Sequence, residues 1–147
     1  MKAAIFDFNR TLWEDGAYLE GALDLLQSLK KKGVKLAVVS AVKEHEVPER
    51  EDLIKPIEPL FHSVNIVTGK SKDVFRNVAE DLSVPHSEVI VIGDKVNNEI
   101  KYGNQLGMTT IWLKRGKNAQ DLPASKEVEP HHTVDSIKQL RELLNKY

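Results

Sequence analysis

Apolar runs of strand length alternate with amphipathic stretches of helix length along the whole chain. Residues 3–8 (AAIFDF), 34–39 (VKLAVV), 64–67 (VNIV), 89–92 (VIVI) and 109–113 (TTIWL) read as buried strands. Between the first two, Leu19, Leu23, Leu26 and Leu29 fall on one helical face that ends at Gly33. Residues 46–57, interrupted by Pro48 and Pro56, read as a short or irregular helix. Residues 71–82 carry an apolar face at Val74, Phe75, Val78 and Leu82, and residues 97–106 form a helix stopped by Gly107. Residues 114–132 read as a loop, and a last helix over 133–145 carries Val134, Ile137, Leu140, Leu143 and Leu144. Five strands joined by helical crossovers predict an α/β fold, a parallel sheet with helices on both faces. With 147 residues, no internal repeat and no linker, the chain is expected to form a single domain over residues 1–147.

In such sheets ligands bind beyond the carboxyl ends of the strands. The first strand ends in Asp7-Phe8-Asn9-Arg10-Thr11-Leu12 and the second in Ser40-Ala41. The third leads into Thr68-Gly69-Lys70-Ser71-Lys72, and the fourth ends in Gly93-Asp94, with Asn98 and Glu99 close behind. An isolated Asp or Ser at a strand end is most often a turn former or a cap. A matched set at several strand ends points to chemistry. If the first and fourth strands are neighbours, about 4.8 Å apart, Asp7 and Asp94 can share one hard cation. Mg²⁺ suits that place, because it takes one or two carboxylates and completes its shell with phosphate oxygens and water. Thr11, Ser40, Lys70 or Lys72, and backbone N–H groups after the first strand supply donors to a phosphoryl group. Asp7 would then be placed for in-line attack on phosphorus, giving an aspartyl-phosphate.

Composition removes several other classes. Lys and Arg number 21 against 22 Asp and Glu, a net charge of −1, which argues against a dedicated nucleic-acid binder. The absence of cysteine excludes a disulfide framework, a thiol nucleophile and thiolate metal sites, and fits a reducing compartment, so a cytoplasmic location is expected. The first apolar run meets Asp7 too early for a signal-peptide core, and no apolar stretch has the length of a membrane span. His131-His132 beside Glu129 lack a second pair of ligands and read as loop residues, and Lys30-Lys31-Lys32 read as a solvated helix end. Lys114-Arg115-Gly116-Lys117 follow the fifth strand on the ligand-facing side, where they would attract an anion.

The segments IFDFNRTL (Ile5–Leu12), AVVSA (Ala37–Ala41), GKSK (Gly69–Lys72) and VIGDKVNNEI (Val91–Ile100) resemble, in order and spacing, the four motifs of the haloacid dehalogenase (HAD) superfamily of phosphohydrolases. The resemblance covers almost the whole chain. It implies a three-layer Rossmann-like fold with sheet order 5-4-1-2-3 and a Mg²⁺ cofactor. It implies Asp7 as nucleophile, and Asp7, Asp94 and the main-chain carbonyl of Asn9 as metal ligands, with Glu99 acting on the metal directly or through water. Ser40, Ala41, Thr11 and the motif lysine would hold the phosphoryl oxygens. Lys70 and Lys72 both qualify for the lysine, and the spacing to Phe75 and Asp94 favours Lys70.

One residue departs from the pattern. Asn9 stands where the family carries a second Asp that protonates the leaving group and then activates water. An amide does neither, so an alkyl phosphate is expected to turn over about 10²–10⁴-fold more slowly, and a reactive phosphate to suffer less. Neither usual insertion point has room for a cap domain, since residues 12–39 already hold a turn and a helix and only Thr68 and Gly69 separate the third strand from Lys70. The chain therefore resembles the capless branch, with an open site that suits a large substrate or a lid borrowed from a second copy. Trp13 beside the mouth reads as a packed flap residue in preference to a substrate contact. The expected function is a weak or specialised phosphatase acting on a phosphorylated small molecule or phosphoprotein. The alternative is a catalytically impaired module that binds a phosphorylated ligand or partner. A signalling receiver domain fits less well, because the third strand ends in Val67-Thr68 and offers no Asp.

Overall fold

The strand β1 (Ala3–Asp7) is buried at every position, which accounts for its unbroken apolar sequence up to the carboxylate that ends it. The computed structural model describes residues 1–147. After β1 the chain turns through a small hairpin, β2 (Trp13–Glu14) and β3 (Ala17–Tyr18), and enters helix α1 (Ala22–Lys31). Strand β4 (Lys35–Ala41), helix α2 (Val47–Ile54), strand β5 (Ser63–Val67) and helix α3 (Lys72–Asp81) follow. The last third comprises β6 (Val89–Gly93), α4 (Lys101–Gln105), β7 (Thr109–Leu113), β8 (His132–Val134) and α5 (Ile137–Leu144).

The main sheet runs β5-β4-β1-β6-β7-β8, and every pairing in it is parallel. The five expected strands occur in the expected order, so the central strand is β1 and its neighbours are those that end in Ser40 and Asp94. The sheet has six strands where five were expected. The addition, β8, lies in the region read as loop and as the start of the last helix. It is only three residues long and contains a half-exposed His and an exposed Thr, so it carries no apolar run for periodicity to detect. The helix begins at Ile137 instead, where the Ser136 hydroxyl caps it by accepting from the Gln139 N–H at 3.1 Å.

Alternation along β1 divides the core. Ala4 and Phe6 face α1 and α5 with Leu25, Leu26, Leu29, Val38, Ile92 and Leu140. Ala3 and Ile5 face the other side, against Phe75, Val78, Leu82 and Met108. Helices therefore cover both faces, and the fold has three layers. The buried stripe of α1 is Ala22, Leu25, Leu26 and Leu29, which corrects the expected one: Leu19 precedes the helix and Leu23 points outward. Small Ala22 completes an i, i+3, i+4, i+7 face that a search for large residues overlooks. In α2, Pro48 sits in the first turn, where its missing N–H costs nothing, and Pro56 and Pro59 confine residues 55–60 to a tighter turn. No helix is long and apolar enough to cross a membrane.

Candidate active site

Register brings the strand ends together. Phe6 is level with Ile92 on one side, and Asp7 is level with Val39 on the other. Asp94 and Ser40 thus emerge beside Asp7 at the carboxyl edge of the sheet. Residues 68–71 alone join β5 to α3, which swings Lys70 over the same edge. A cavity of about 120 Å³ results, lined by Asp7, Asn9, Arg10, Ser40, Ala41, Lys70, Asp94, Lys95, Asn98 and Glu99. Larger hollows of about 490 Å³ open beside α2 and α5, but neither collects buried carboxylates.

Asp7, Asp94 and Glu99 are all buried, and one carboxylate oxygen from each lies within 4.8 Å of the others. Lys70 Nζ donates to Asp7 Oδ1 at 2.7 Å and also to Glu99 Oε1. Arg10 Nε and Asn118 Nδ2 donate to Asp94 Oδ2 at 2.9 and 2.7 Å. The Trp112 indole N–H binds the Asp94 carbonyl at 3.0 Å. Arg10 reaches Asp94 from a backbone with φ of 60°, a left-handed conformation that a non-glycine residue adopts at some cost. Behind Asp94 the chain forms one π-helical turn, Val96–Ile100, before α4, and this turn carries Glu99 back against the end of β6. The sequence pattern predicts a plain helix over residues 97–106 instead.

Glu99 packs so closely on β6 that only glycine fits at position 93. A Cβ there would lie 2.5 Å from Glu99 Oε2 and 2.6 Å from its Cγ. Gly93→Ala should therefore push Glu99 off Lys70 and cost about 1–3 kcal/mol. Thermal denaturation should show a clear loss of Tm, and an unchanged Tm would contradict this packing.

Two carboxyl groups beside Asp7 shape its acidity. Burial first, then the charge of Glu99, hold Asp7 well above its ordinary value of 3.8, with Asp94 adding to the effect and Lys70 opposing it. Burial alone would lower the pKa of Lys70, but Asp7 and Glu99 outweigh it, and the ammonium stays protonated above the usual lysine range. A carboxyl whose folded-state value is raised contributes stability below its unfolded value and loses it as pH rises through the folded one. Metal-free protein should therefore fall in Tm, relative to Asp7→Asn, as pH rises from about 4 to 8. At pH 8 the variant should melt higher by about 3 °C or more. Melts in chelator across that range check the sign, and a difference that stays flat contradicts it.

Among the expected site residues, Asp7, Asn9, Ser40, Ala41, Lys70, Asp94 and Glu99 line the cavity. Thr11 is fully buried beneath it and donates to Asp7 Oδ2 at 3.4 Å, so it braces Asp7 without lining the cavity. Lys72 begins α3 and makes none of these contacts. Trp13 packs in the hairpin, 4.9 Å centre to centre from Tyr18 and 6.0 Å from Phe8. Arg10, Asn118 and Arg50, which donates to Ser40 Oγ, join the site without a motif of their own in the sequence. Of the basic run after β7, Arg115 pairs with Glu14, and the nearby Asn118 is the residue that reaches the site.

The donor set fits a hard divalent cation. Three buried carboxylates share one spot, and the Glu99 Oε2 atom is buried with no hydrogen-bond partner.

The chain is 29% identical over 140 residues to a glyceraldehyde 3-phosphate phosphatase from Methanopyrus kandleri, covering 84% of this chain and 59% of that protein. It spans only about a third of a glycerol-3-phosphate phosphatase from Gallus gallus and of chronophin from Mus musculus. An uncharacterized protein from Listeria monocytogenes superposes over 99% of this chain and 98% of its own, with a TM-score of 0.78 at 16% identity. The HAD-hydrolase YfnB from Bacillus subtilis, solved bound to magnesium, superposes over 87% of this chain and 56% of its own, with a TM-score of 0.66 at 24% identity. The HAD-hydrolase-like family model matches residues 67–140, which carry Lys70, Asp94 and Glu99 and make up half of the sequence. The chain belongs to the HAD-hydrolase-like family.

Proposed function

We propose that this chain is a Mg²⁺-dependent phosphohydrolase in which Asp7 accepts the phosphoryl group. The observation that carries the reading is the meeting of Asp7, Asp94 and Glu99 at one buried spot beside Ser40 and Lys70. The phosphatase relative and the magnesium-bound structural neighbour support it.

Asp7, Asp94 and the Asn9 carbonyl would hold the ion, with Glu99 directly or through water. Bound there, Mg²⁺ supplies positive charge that keeps Asp7 ionised and draws charge from the phosphoryl oxygens. Lys70 holds the Asp7 carboxylate in place through Oδ1, and Thr11 braces it through Oδ2. An Asp7 oxygen attacks phosphorus, the ester bond breaks, and the alcohol oxygen leaves with the bonding pair. Water then cleaves the acyl phosphate and returns Asp7 as a carboxylate. Ser40, the ammonium of Lys70 and the backbone near Ala41 offer donors to the phosphoryl oxygens.

Asn9 carries no transferable proton, so the leaving group must depart as an anion or take its proton from water. That favours reactive phosphates over alkyl esters. We read the chain as one open domain without a cap, suited to a phosphorylated small molecule or to a phosphate on a protein, or completed by a second copy. Asn9 also favours a second reading, a module that binds a phosphorylated ligand without turning it over.

Phosphate release from para-nitrophenyl phosphate, acetyl phosphate and glycerol phosphate, with and without Mg²⁺, separates the two. Mg²⁺-dependent release that is fastest on acetyl phosphate is expected. Mg²⁺-dependent binding with no release would favour the module.

A further inference from the structure

Arg50 leaves α2 and runs under the end of β4. It donates through Nη1 to Ser40 Oγ, and its guanidinium carbon lies 4.9 Å from the centre of the Phe8 ring. Its Nε is buried with no hydrogen-bond partner. Burial works against the charge of Arg50, whereas Asp7, Glu46 and Glu49 favour it. Stacking on Phe8 explains why the side chain packs, but not why a guanidinium is used. An apolar side chain of similar length would cover Phe8 without burying an unpaired donor, which is costly.

The bond to Ser40 supplies the reason. A serine hydroxyl has one proton and two lone pairs, and its rotor is free unless a partner fixes it. Arg50 is donor-only, so Ser40 must accept from it, and the Ser40 proton must point elsewhere. Ser40 is 1% exposed and lines the cavity, whereas Arg50 does not line it. Accepting a bond from a cation also polarises the hydroxyl and strengthens it as a donor.

We infer that Arg50 is a positioning residue, which aims the Ser40 hydroxyl proton into the cavity as a donor to a phosphoryl oxygen. The inference rests on the phosphohydrolase reading and extends it to a residue ten positions beyond the motif serine.

Calorimetric titration of inorganic phosphate into the Mg²⁺-loaded protein tests it, with wild type, Arg50→Met, Ser40→Ala and the double variant. Arg50→Met keeps a side chain over Phe8 and removes the guanidinium. Each single variant should weaken phosphate binding about tenfold, as expected for a bond to a charged group. The double variant should be no more than about twofold weaker than Ser40→Ala, because the two residues act through one hydrogen bond. Mg²⁺ affinity of Arg50→Met should stay within about twofold of wild type, which a general loss of structure would not allow. Arg50→Lys, which can still donate to Ser40, should recover part of the loss. Should Arg50→Met melt below the titration temperature, Arg50→Leu, which also lacks a donor, carries the same comparison. Wild-type affinity in the Arg50 variant, or losses that multiply in the double variant, would overturn the positioning role. Failure of wild type to bind phosphate would instead overturn the phosphohydrolase reading itself.

Discussion

Asp7→Asn should abolish phosphate release, lowering kcat on the order of 10⁴-fold or more on every substrate. The substitution changes one atom at the spot where Lys70, Thr11, Asp94 and Glu99 converge. An amide is a poor nucleophile toward phosphorus, so no covalent phosphoryl group can form on it. The same change relieves a buried carboxyl whose pKa is already raised by burial and by Glu99. Activity should therefore fall while the thermal stability of the metal-free protein rises. That pairing separates lost chemistry from lost structure, since a misfolded variant would lose both. Sites that trade stability for function behave in this way. Retention of more than a few per cent of wild-type turnover would show that another group attacks phosphorus.

The second large effect runs the other way. Asn9→Asp should raise kcat on an alkyl phosphate such as glycerol phosphate by about 10²-fold or more. Asn9 lines the same cavity two residues after Asp7, so on the proposed mechanism a carboxyl there should reach both the leaving oxygen and the attacking water. In kcat/KM, which reports phosphoryl transfer to Asp7 and not the later water step, the gain should shrink for para-nitrophenyl phosphate, whose leaving group needs no proton. Dependence on leaving-group basicity should fall accordingly, and steady-state rates over a series of phosphates measure it. Equal rates for the two proteins across that series would mean that Asn9 is not the missing acid.

Much of the site was legible because its parts sit at strand ends. Buried strands are recognised by unbroken apolar runs, and whatever polar residue ends such a run must lie at the sheet edge. Asp7, Ser40 and Gly93-Asp94 are found by that logic alone. The parallel order puts them side by side. What sequence did not disclose are groups brought in by irregular backbone. Arg10 reaches Asp94 from a backbone with positive φ; Glu99 is expected from its motif, but the π-helical turn that brings it inward has no pattern of its own. Asn118 arrives from a short turn twenty-four residues beyond Asp94, and Arg50 from a charged stretch that reads only as a short or irregular helix. The sixth strand escaped for a related reason, since His132–Val134 is an edge strand held by backbone bonds to β7 and carries one buried residue.

Intact mass measurement after acid quench of the protein with acetyl phosphate and Mg²⁺ tests the central claim most directly. With Asn9 unable to activate water, the acyl phosphate on Asp7 should outlive its formation. Wild type should gain the mass of one phosphoryl group, located on the peptide containing Asp7, and the gain should vanish without Mg²⁺ and in Asp7→Asn. A phosphoryl group on any other residue, or phosphate release that leaves Asp7 unlabelled while Asp7→Asn still turns over, would contradict the account.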